Sequence, residues 1–386
     1  MILLWMISLY GLATGTYLLV FALASLKKQA WHGKDSENLV NRIAILLPVY
    51  KEDDIILDSA YRALLLNYDP KCFDVIVIAD SLKPSTCVKL ETMGCKVVIM
   101  DLTPRSKAKA LNLALRELPE TSYDIALVLD ADNYLSHDAL IEINNSFNHG
   151  AIAVQCKRVA REITTPLENL EAISEAINNN LFRKGHRALG LSAALAGSGM
   201  AFDYRFFTEV MRNIHATNGF DKDLEFEILS SGASIEYLEN VHVFDEKISS
   251  LKVLKNQRIR WFAAQLLNIS KGVKFVFKNP SADVIDKWWQ MFLLSRLLLF
   301  GMMISVSIVS FVACWIPFAY LTGVASIMIG ASLLIAMPRQ YFNKSLLPSI
   351  IKIPVSFFTL VVSLLSFRRA FKGFIHTPHS SKPKTI

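Results

Sequence analysis

Apolar positions along the chain fall into two patterns. Near the ends lie long charge-free runs: Ile2 to Leu26, Leu297 to Trp315, Phe318 to Met337, and the shorter Ile353 to Phe367, which follows Lys352 and contains Pro354. In between are short β-branched runs, "RIAILLP" (42–48), "FDVIVIAD" (73–80), "CKVVIMD" (95–101), "DIALVLD" (124–130) and "AIAVQCK" (151–157). Longer helical patterns, such as Asp54 to Leu66 and Ser106 to Leu118, fall between the first four. That alternation predicts βαβ units and a parallel sheet buried on both faces. At ~1.5 Å of rise per residue, the first run is long enough for about one bilayer crossing.

The expected organisation is an N-terminal transmembrane anchor (1–26), a cytoplasmic domain (27–265), interfacial amphipathic helices (266–290), a membrane region of two or three helices (291–367) and a basic tail (368–386). A hydrophobic content of 52% and mean hydropathy of +0.34 fit a membrane protein better than a soluble enzyme. Ala22-Leu23-Ala24 resembles a signal-peptide cleavage site, but no basic stretch precedes the run, so a retained anchor is expected. Lys27, Lys28 and Lys34 follow it and assign the next segment to the cytoplasm. Three full C-terminal crossings would then leave the basic tail outside, so Ser345 to Phe367 is expected to cross incompletely.

The net charge of +7 comes from scattered lysines and arginines, many of them beside apolar runs. Lipid headgroups or a phosphorylated substrate explain them better than nucleic acid does. Five cysteines without C-x-x-C spacing fit a reducing compartment and no structural zinc.

Three short runs end in aspartate: Asp80, Asp101 and Asp130. In open parallel sheets the ligand crevice lies beyond the carboxyl ends of the strands, so these acids are candidates for a site. Asp132 follows Asp130 closely, and two adjacent carboxylates invite a cation, although an Asp helix cap would read the same way locally. There is no G-x-G-x-x-G after the first run and no P-loop; "PVYKEDD" (48–54) stands there instead.

"PVYKED", "IADS", "SKAKALN" (106–112), "LDADN", "AGSGMAFD" (196–203), "GFDKDLEFEIL" (219–229) and "NQRIRW" (256–261) occur in the order found in membrane-bound family 2 glycosyltransferases, which the chain resembles over residues 42 to about 270. Cellulose, hyaluronan and chitin synthases are members. The resemblance implies an α/β GT-A fold, a Rossmann-like nucleotide-sugar domain with a mainly parallel sheet, here between N- and C-terminal transmembrane helices. It implies a UDP-sugar donor and Mg²⁺ or Mn²⁺ held by Asp130 and Asp132, with Asp130 also facing the donor. Asp80 matches the acid that contacts the nucleoside, Tyr50 and Glu52 the uracil and ribose loop, and Lys107 the diphosphate lysine, for which Lys109 is a rival. Asp221 aligns with the catalytic base of T-E-D, but Phe220 stands where glutamate is usual, and Asp223 is a rival base.

By the same resemblance Gln257 and Arg260 face the diphosphate, while Trp261, Gly197 and Ser198 serve the acceptor. Arg258 is expected to face solvent or headgroups. Lys271, Lys274 and Lys278 on one face of 266–280 predict an interfacial helix, Trp288 and Trp289 a headgroup belt, and Arg296 a snorkelling or path-lining residue. "FIHTPH" (374–379) resembles a gating loop, with His376 for Val and His379 for Lys. The implied function is inverting β-glycosyl transfer to a growing polysaccharide. Single addition to a lipid acceptor is the alternative, and a non-catalytic partner of the same fold, favoured only by Phe220, a further one. A homo-oligomer or accessory subunit is compatible with the small number of spans.

Overall fold

The computed structural model describes residues 1–27, 39–101, 106–214 and 219–368. Lys28, Lys34 and the tail from 369 with "FIHTPH" lie outside the described residues.

The five apolar runs form β1 (Ile43–Tyr50), β2 (Phe73–Asp80), β3 (Lys96–Met100), β4 (Ile125–Val128) and a later strand, with α2 (Asp53–Leu64), α3 (Pro84–Thr92) and α4 (Lys107–Glu117) between the first four. An N-terminal helix, α1 (Ile2–Ala24), precedes them. β5 (Tyr134–Leu135), α5 (Ala139–Asn148), β6 (Ala153–Ala160), α6 (Pro166–Asn178), a π-helical turn (Asn179–Gly185) and α7 (His186–Ala188) follow β4. Then come β7 (Met200–Asp203), α8 (Tyr204–Met211), α9 (Phe220–Ser230) and β8 (Ile235–Asp245).

The eight strands form one sheet in the order β3-β2-β1-β4-β7-β6-β8-β5. β1, β2, β3 and β4 pair in parallel, whereas β7 runs antiparallel to both β4 and β6, and β5 antiparallel to β8. β1 and β4 are buried almost throughout, as their unbroken apolar runs require, but β3 is an edge strand with Lys96 and Ile99 exposed. Apolar clusters line both faces, one under α4, α8 and α9, the other under α2 and α5.

The remaining helices are α10 (Leu251–Lys278), α11 (Ala282–Phe292), α12 (Arg296–Val312), α13 (Ile316–Ala336), α14 (Leu346–Ile351) and α15 (Ile353–Leu365). Among the described residues, Ile2–Ala24, Ile316–Ala336 and Leu346–Leu365 are long and apolar enough to cross a membrane. One expectation changes here. The stretch read as Leu297 to Trp315 is the 17-residue α12, which reaches spanning length only together with α11, across a 62° bend. The stretch expected to cross incompletely, Ser345 to Phe367, holds α14 and α15, which together make a 20-residue apolar stretch long enough to span, with Pro354 in the first turn of α15, where its missing N–H costs nothing.

The region 266–280, expected as an interfacial helix, does not start a helix of its own. It continues the 28-residue α10 that begins before the Q-x-x-R-W motif, so the boundary at 265 falls mid-helix. α1 packs along α13 and against the π-helical turn, where a Cβ on Gly185 would come 2.3 Å from the Phe21 carbonyl oxygen. That backbone-to-backbone approach ties the apolar helix to the sheet domain.

Candidate active site

A cavity of about 970 Å³ opens at the carboxyl ends of β1 and β2 and extends between the apolar helices. Tyr50 and Asp80, the last residues of those strands, line it. The next residues, Lys51 and Ser81, have φ of 57° and 60°. Non-glycine residues in the left-handed region are held there at a cost of roughly 1–3 kcal/mol, and such turns cluster at functional sites. Asp80 is buried and accepts a 2.8 Å hydrogen bond from Ser81 Oγ. Glu52 caps α2 next to this turn, outside the cavity wall. Asp101 is exposed beyond the edge strand β3 and does not line the cavity.

Asp130 and Asp132 sit in the turn after β4, and the Asp130 amide is fixed by Ser198 Oγ at 2.9 Å. Ser198 also accepts from Asn133 Nδ2 at 2.7 Å and is completely buried. It therefore braces the acidic turn and does not face an acceptor, which corrects its expected role. Gly197 does line the cavity. Gly199 adopts φ +65°, and a Cβ there would meet Val243 Cγ2 at 2.3 Å, so only glycine lets this loop lie against β8. Gln155, a buried residue that sequence reasoning missed, secures the loop by donating to Ser198 O and accepting from the Ala196 amide.

Lys107 heads α4, whose N-cap Ser106 accepts from the Lys109 amide. The Lys107 ammonium bonds the Asp130 carboxylate and, at 2.7 Å, the Gly197 carbonyl, and it lies 5.3 Å from the Phe220 ring centroid. Lys107 lines the cavity and Lys109 does not, which separates the two rivals. Among the described residues no group of three or more His, Cys, Asp or Glu side chains could hold a metal alone. Two carboxylates braced on one turn nevertheless suit a hard divalent cation that takes its other oxygens from a diphosphate and water.

Asp221, in the first turn of α9, lines the cavity, and burial pushes its carboxyl above the usual range despite the nearby Lys222 ammonium. Asp223 turns away: Lys271 of α10 holds it at 2.7 Å, and it is absent from the cavity wall. The expectation that Asp223 rivals Asp221 is thus corrected, and Lys271 has a protein partner where a lipid headgroup was expected. α9 begins at Gly219, whose φ of +67° turns the chain into the helix.

From α10, Arg258, Arg260 and Trp261 line the cavity, while Gln257 does not. Arg258, expected outside, is part-buried, pairs with Glu171 of α6 and stacks on Trp261 with 4.2 Å between guanidinium carbon and ring centroid. Trp261 itself is half exposed. The π-helical turn supplies Arg183, which holds Glu175 at 2.9 Å and the Ala194 carbonyl at 3.1 Å. Arg158 bonds Asp245 and the Ala196 carbonyl, and Arg296 bonds Ser174 through its carbonyl at 2.9 Å and hydroxyl at 3.0 Å. Arg158, Arg183 and Glu175 carry no motif; only their shared burial in this wall identifies them.

The arrangement brings together strand-end residues, two acids on one braced turn beside Lys107, and a carboxylate that shares its cavity with a Trp-Arg stack. Residues 41–264 match the family model described as glycosyltransferase like family 2. A poly-beta-1,6-N-acetyl-D-glucosamine synthase of Staphylococcus aureus is 32% identical over 110 residues, 28% of this chain and 26% of that protein, so the match spans about a quarter of the relative. A mannosyltransferase from Pyrobaculum calidifontis, solved with GDP-Man and Mn2+, shares the fold at TM-score 0.58 and 17% identity, covering 94% of this chain and 99% of its own. With the family model spanning more than half of the chain, the protein belongs to glycosyltransferase family 2.

Proposed function

We propose that the protein is a membrane-embedded, inverting β-glycosyltransferase that passes a sugar from a UDP-sugar to a growing polysaccharide, with its catalytic domain on the cytoplasmic side. The observation that carries this proposal is one continuous cavity, lined both by Tyr50, Asp80 and Lys107 and by Arg258, Trp261 and the apolar helices α13 to α15. A donor bound at the strand ends and an acceptor leaving along the membrane would meet at Asp221.

Asp130 and Asp132 would hold Mg²⁺ or Mn²⁺, which when bound supplies positive charge to the diphosphate. Tyr50 and Asp80 orient the nucleoside, with Glu52 at the adjoining turn, and Lys107 and Arg260 offset phosphate charge, while Gln257 sits behind them outside the cavity wall. Trp261 offers a face on which an acceptor sugar stacks, and Gly197, with open space where a Cβ would stand, leaves room in the same cavity. The acceptor oxygen attacks the anomeric carbon as the bond to the diphosphate oxygen breaks, and the hydroxyl proton passes to the Asp221 carboxylate. A carboxyl raised by burial is a stronger base than an exposed one, which suits this role.

The relatives support sugar transfer while differing in donor: one is named for N-acetylglucosamine, the other was solved with GDP-Man. A second reading, addition of one sugar to a lipid, is favoured by the aliphatic inner wall of Leu333, Leu334, Met337, Ile350, Ile353 and Leu360. Purified protein in lipid, given labelled UDP-sugars singly and in pairs with a GDP-mannose arm, should make material too large for a monoglycosylated lipid and sensitive to a linkage-specific hydrolase. A product that always carries one sugar and partitions with lipid selects the second reading. No donor consumption under any condition would leave a non-catalytic partner.

A further inference from the structure

The helix that carries Asp221 also carries a charge cluster to which none of the motifs assigns a role. Lys222 Nζ lies 3.8 Å from Asp221 Oδ2, 3.1 Å from Glu225 Oε2 and 3.2 Å from the Leu195 carbonyl oxygen. Glu225 is completely buried; it accepts from the Leu195 amide and faces the equally buried Lys287 of α11 at 3.4 Å. Two ammonium groups therefore share the Glu225 carboxylate, and the positive charge left over lies beside Asp221.

That surplus matters because a buried carboxylate without a counter-ion takes up a proton, and a protonated Asp221 cannot accept one from an acceptor hydroxyl. Three charged groups act on Asp221: Lys222 and Glu225 from its own helix and Lys107 from α4. Glu225 opposes ionisation, and Lys107 is already committed to Asp130 and the Gly197 carbonyl. Lys222 is the cation left for the base. The related motif has glutamate immediately before the base; here Phe220 stands there, and the polar support comes from the residue after.

We propose that Lys222 is a positioning residue that keeps Asp221 ionised and fixed against the cavity, with Glu225 and Lys287 as its support. This deepens the proposed function and rests on Asp221 as the base. Its geometry also links the base to the membrane region, since Lys287 belongs to α11, which is bent against α12.

The test is the pH profile of nucleoside diphosphate release by full-length protein in lipid, for wild type, Lys222→Met and Lys222→Arg, with donor KM measured in parallel. An opposite charge within ~4–6 Å lowers a carboxylate by about 1–3 pH units, so its removal should move the acidic limb upward by about one unit or more. Turnover below the limb should fall about tenfold and recover at higher pH, with donor KM little changed. Arginine should restore the wild-type limb. Lys222→Gln, which keeps a donor for the Leu195 carbonyl but no charge, gives the same comparison if the methionine variant does not fold. An unmoved limb in a folded, uncharged variant, failure of arginine to restore it, or a loss confined to donor KM overturns the proposal. Wild-type protein that consumes no nucleotide sugar overturns the transferase reading beneath it.

Discussion

The two walls of the cavity are built in different ways. On the sheet side, Tyr50 and Asp80 line the cavity where parallel strands end, at the left-handed turns of Lys51 and Ser81, and the Ser198-braced turn of Asp130 and Asp132 lies behind, joined to the cavity through Lys107. On the helix side, Glu171, Glu175, Arg183 and Arg258 are aimed by one another, in part-buried pairs of Glu175 with Arg183 and Glu171 with Arg258, and Arg158 is held by Asp245. The first wall places its acids by backbone geometry, with Lys107 bonded to Asp130, whereas the second places its charges by pairing them with one another. Substitutions on the two walls should therefore fail differently, the first in chemistry and the second in stability.

The largest effect is expected on the sheet side. Asp130→Asn or Asp132→Asn should lower turnover by about 10²–10³-fold or more, the scale for losing one well-placed electrostatic group, while thermal unfolding stays near wild type. EDTA should abolish activity, and full activity in EDTA would contradict the metal assignment.

On the helix side, Arg183→Met leaves Glu175 buried without its closest cation and should cost about 3–5 kcal/mol, read as a lower thermal midpoint, with Arg183→Met/Glu175→Gln recovering part of it. The pH dependence follows from the same pair. Burial alone would raise the Glu175 carboxyl, but Arg183, Arg158 and Lys247 outweigh it and hold it at about 2. A depressed acid stabilises the fold fully above its unfolded value, about 4.3, and loses that contribution as pH falls toward 2. Acid unfolding of the Glu175→Gln variant should be correspondingly less steep.

Arg258→Ala tests the join between the walls. Losing its stack on Trp261 and its pair with Glu171 should raise acceptor KM by about tenfold with donor KM little changed, as expected for about 1–2 kcal/mol of cation–π and ion-pair energy. The smallest effect is expected from Asp223→Asn, whose partner Lys271 is about half exposed; turnover and stability should change by less than about 1 kcal/mol.

The same contrast explains what could be read from the sequence. Strand runs and their terminal acids follow a local period, so β1 to β4, Asp80 and the Asp130 turn were legible, and the motif order located Asp221 and Trp261. The second half of the sheet was less so: β7 is four residues long and antiparallel, and β5 is two, too short for periodicity to register. Arg258 was assigned to solvent because its partner Glu171 lies 87 positions away, beyond any local pattern. Ser198 was misread because a motif gives order, not direction, and its side chain turns under the acidic loop. The interfacial character of 266–280 was inferred from a lysine face that the fold partly spends on Asp223.

The most direct test of the central claim, that Asp221 is the base where donor and acceptor meet, is Asp221→Asn examined for binding and turnover in one preparation. With whichever labelled UDP-sugar the wild type consumes, and Mn²⁺ present, the variant should bind donor with unchanged affinity and turn over about 10²–10⁴-fold more slowly, since only proton removal is lost. Near-wild-type turnover in Asp221→Asn, together with an inactive Asp223→Asn, would contradict the assignment and move the base one helical step toward Lys271.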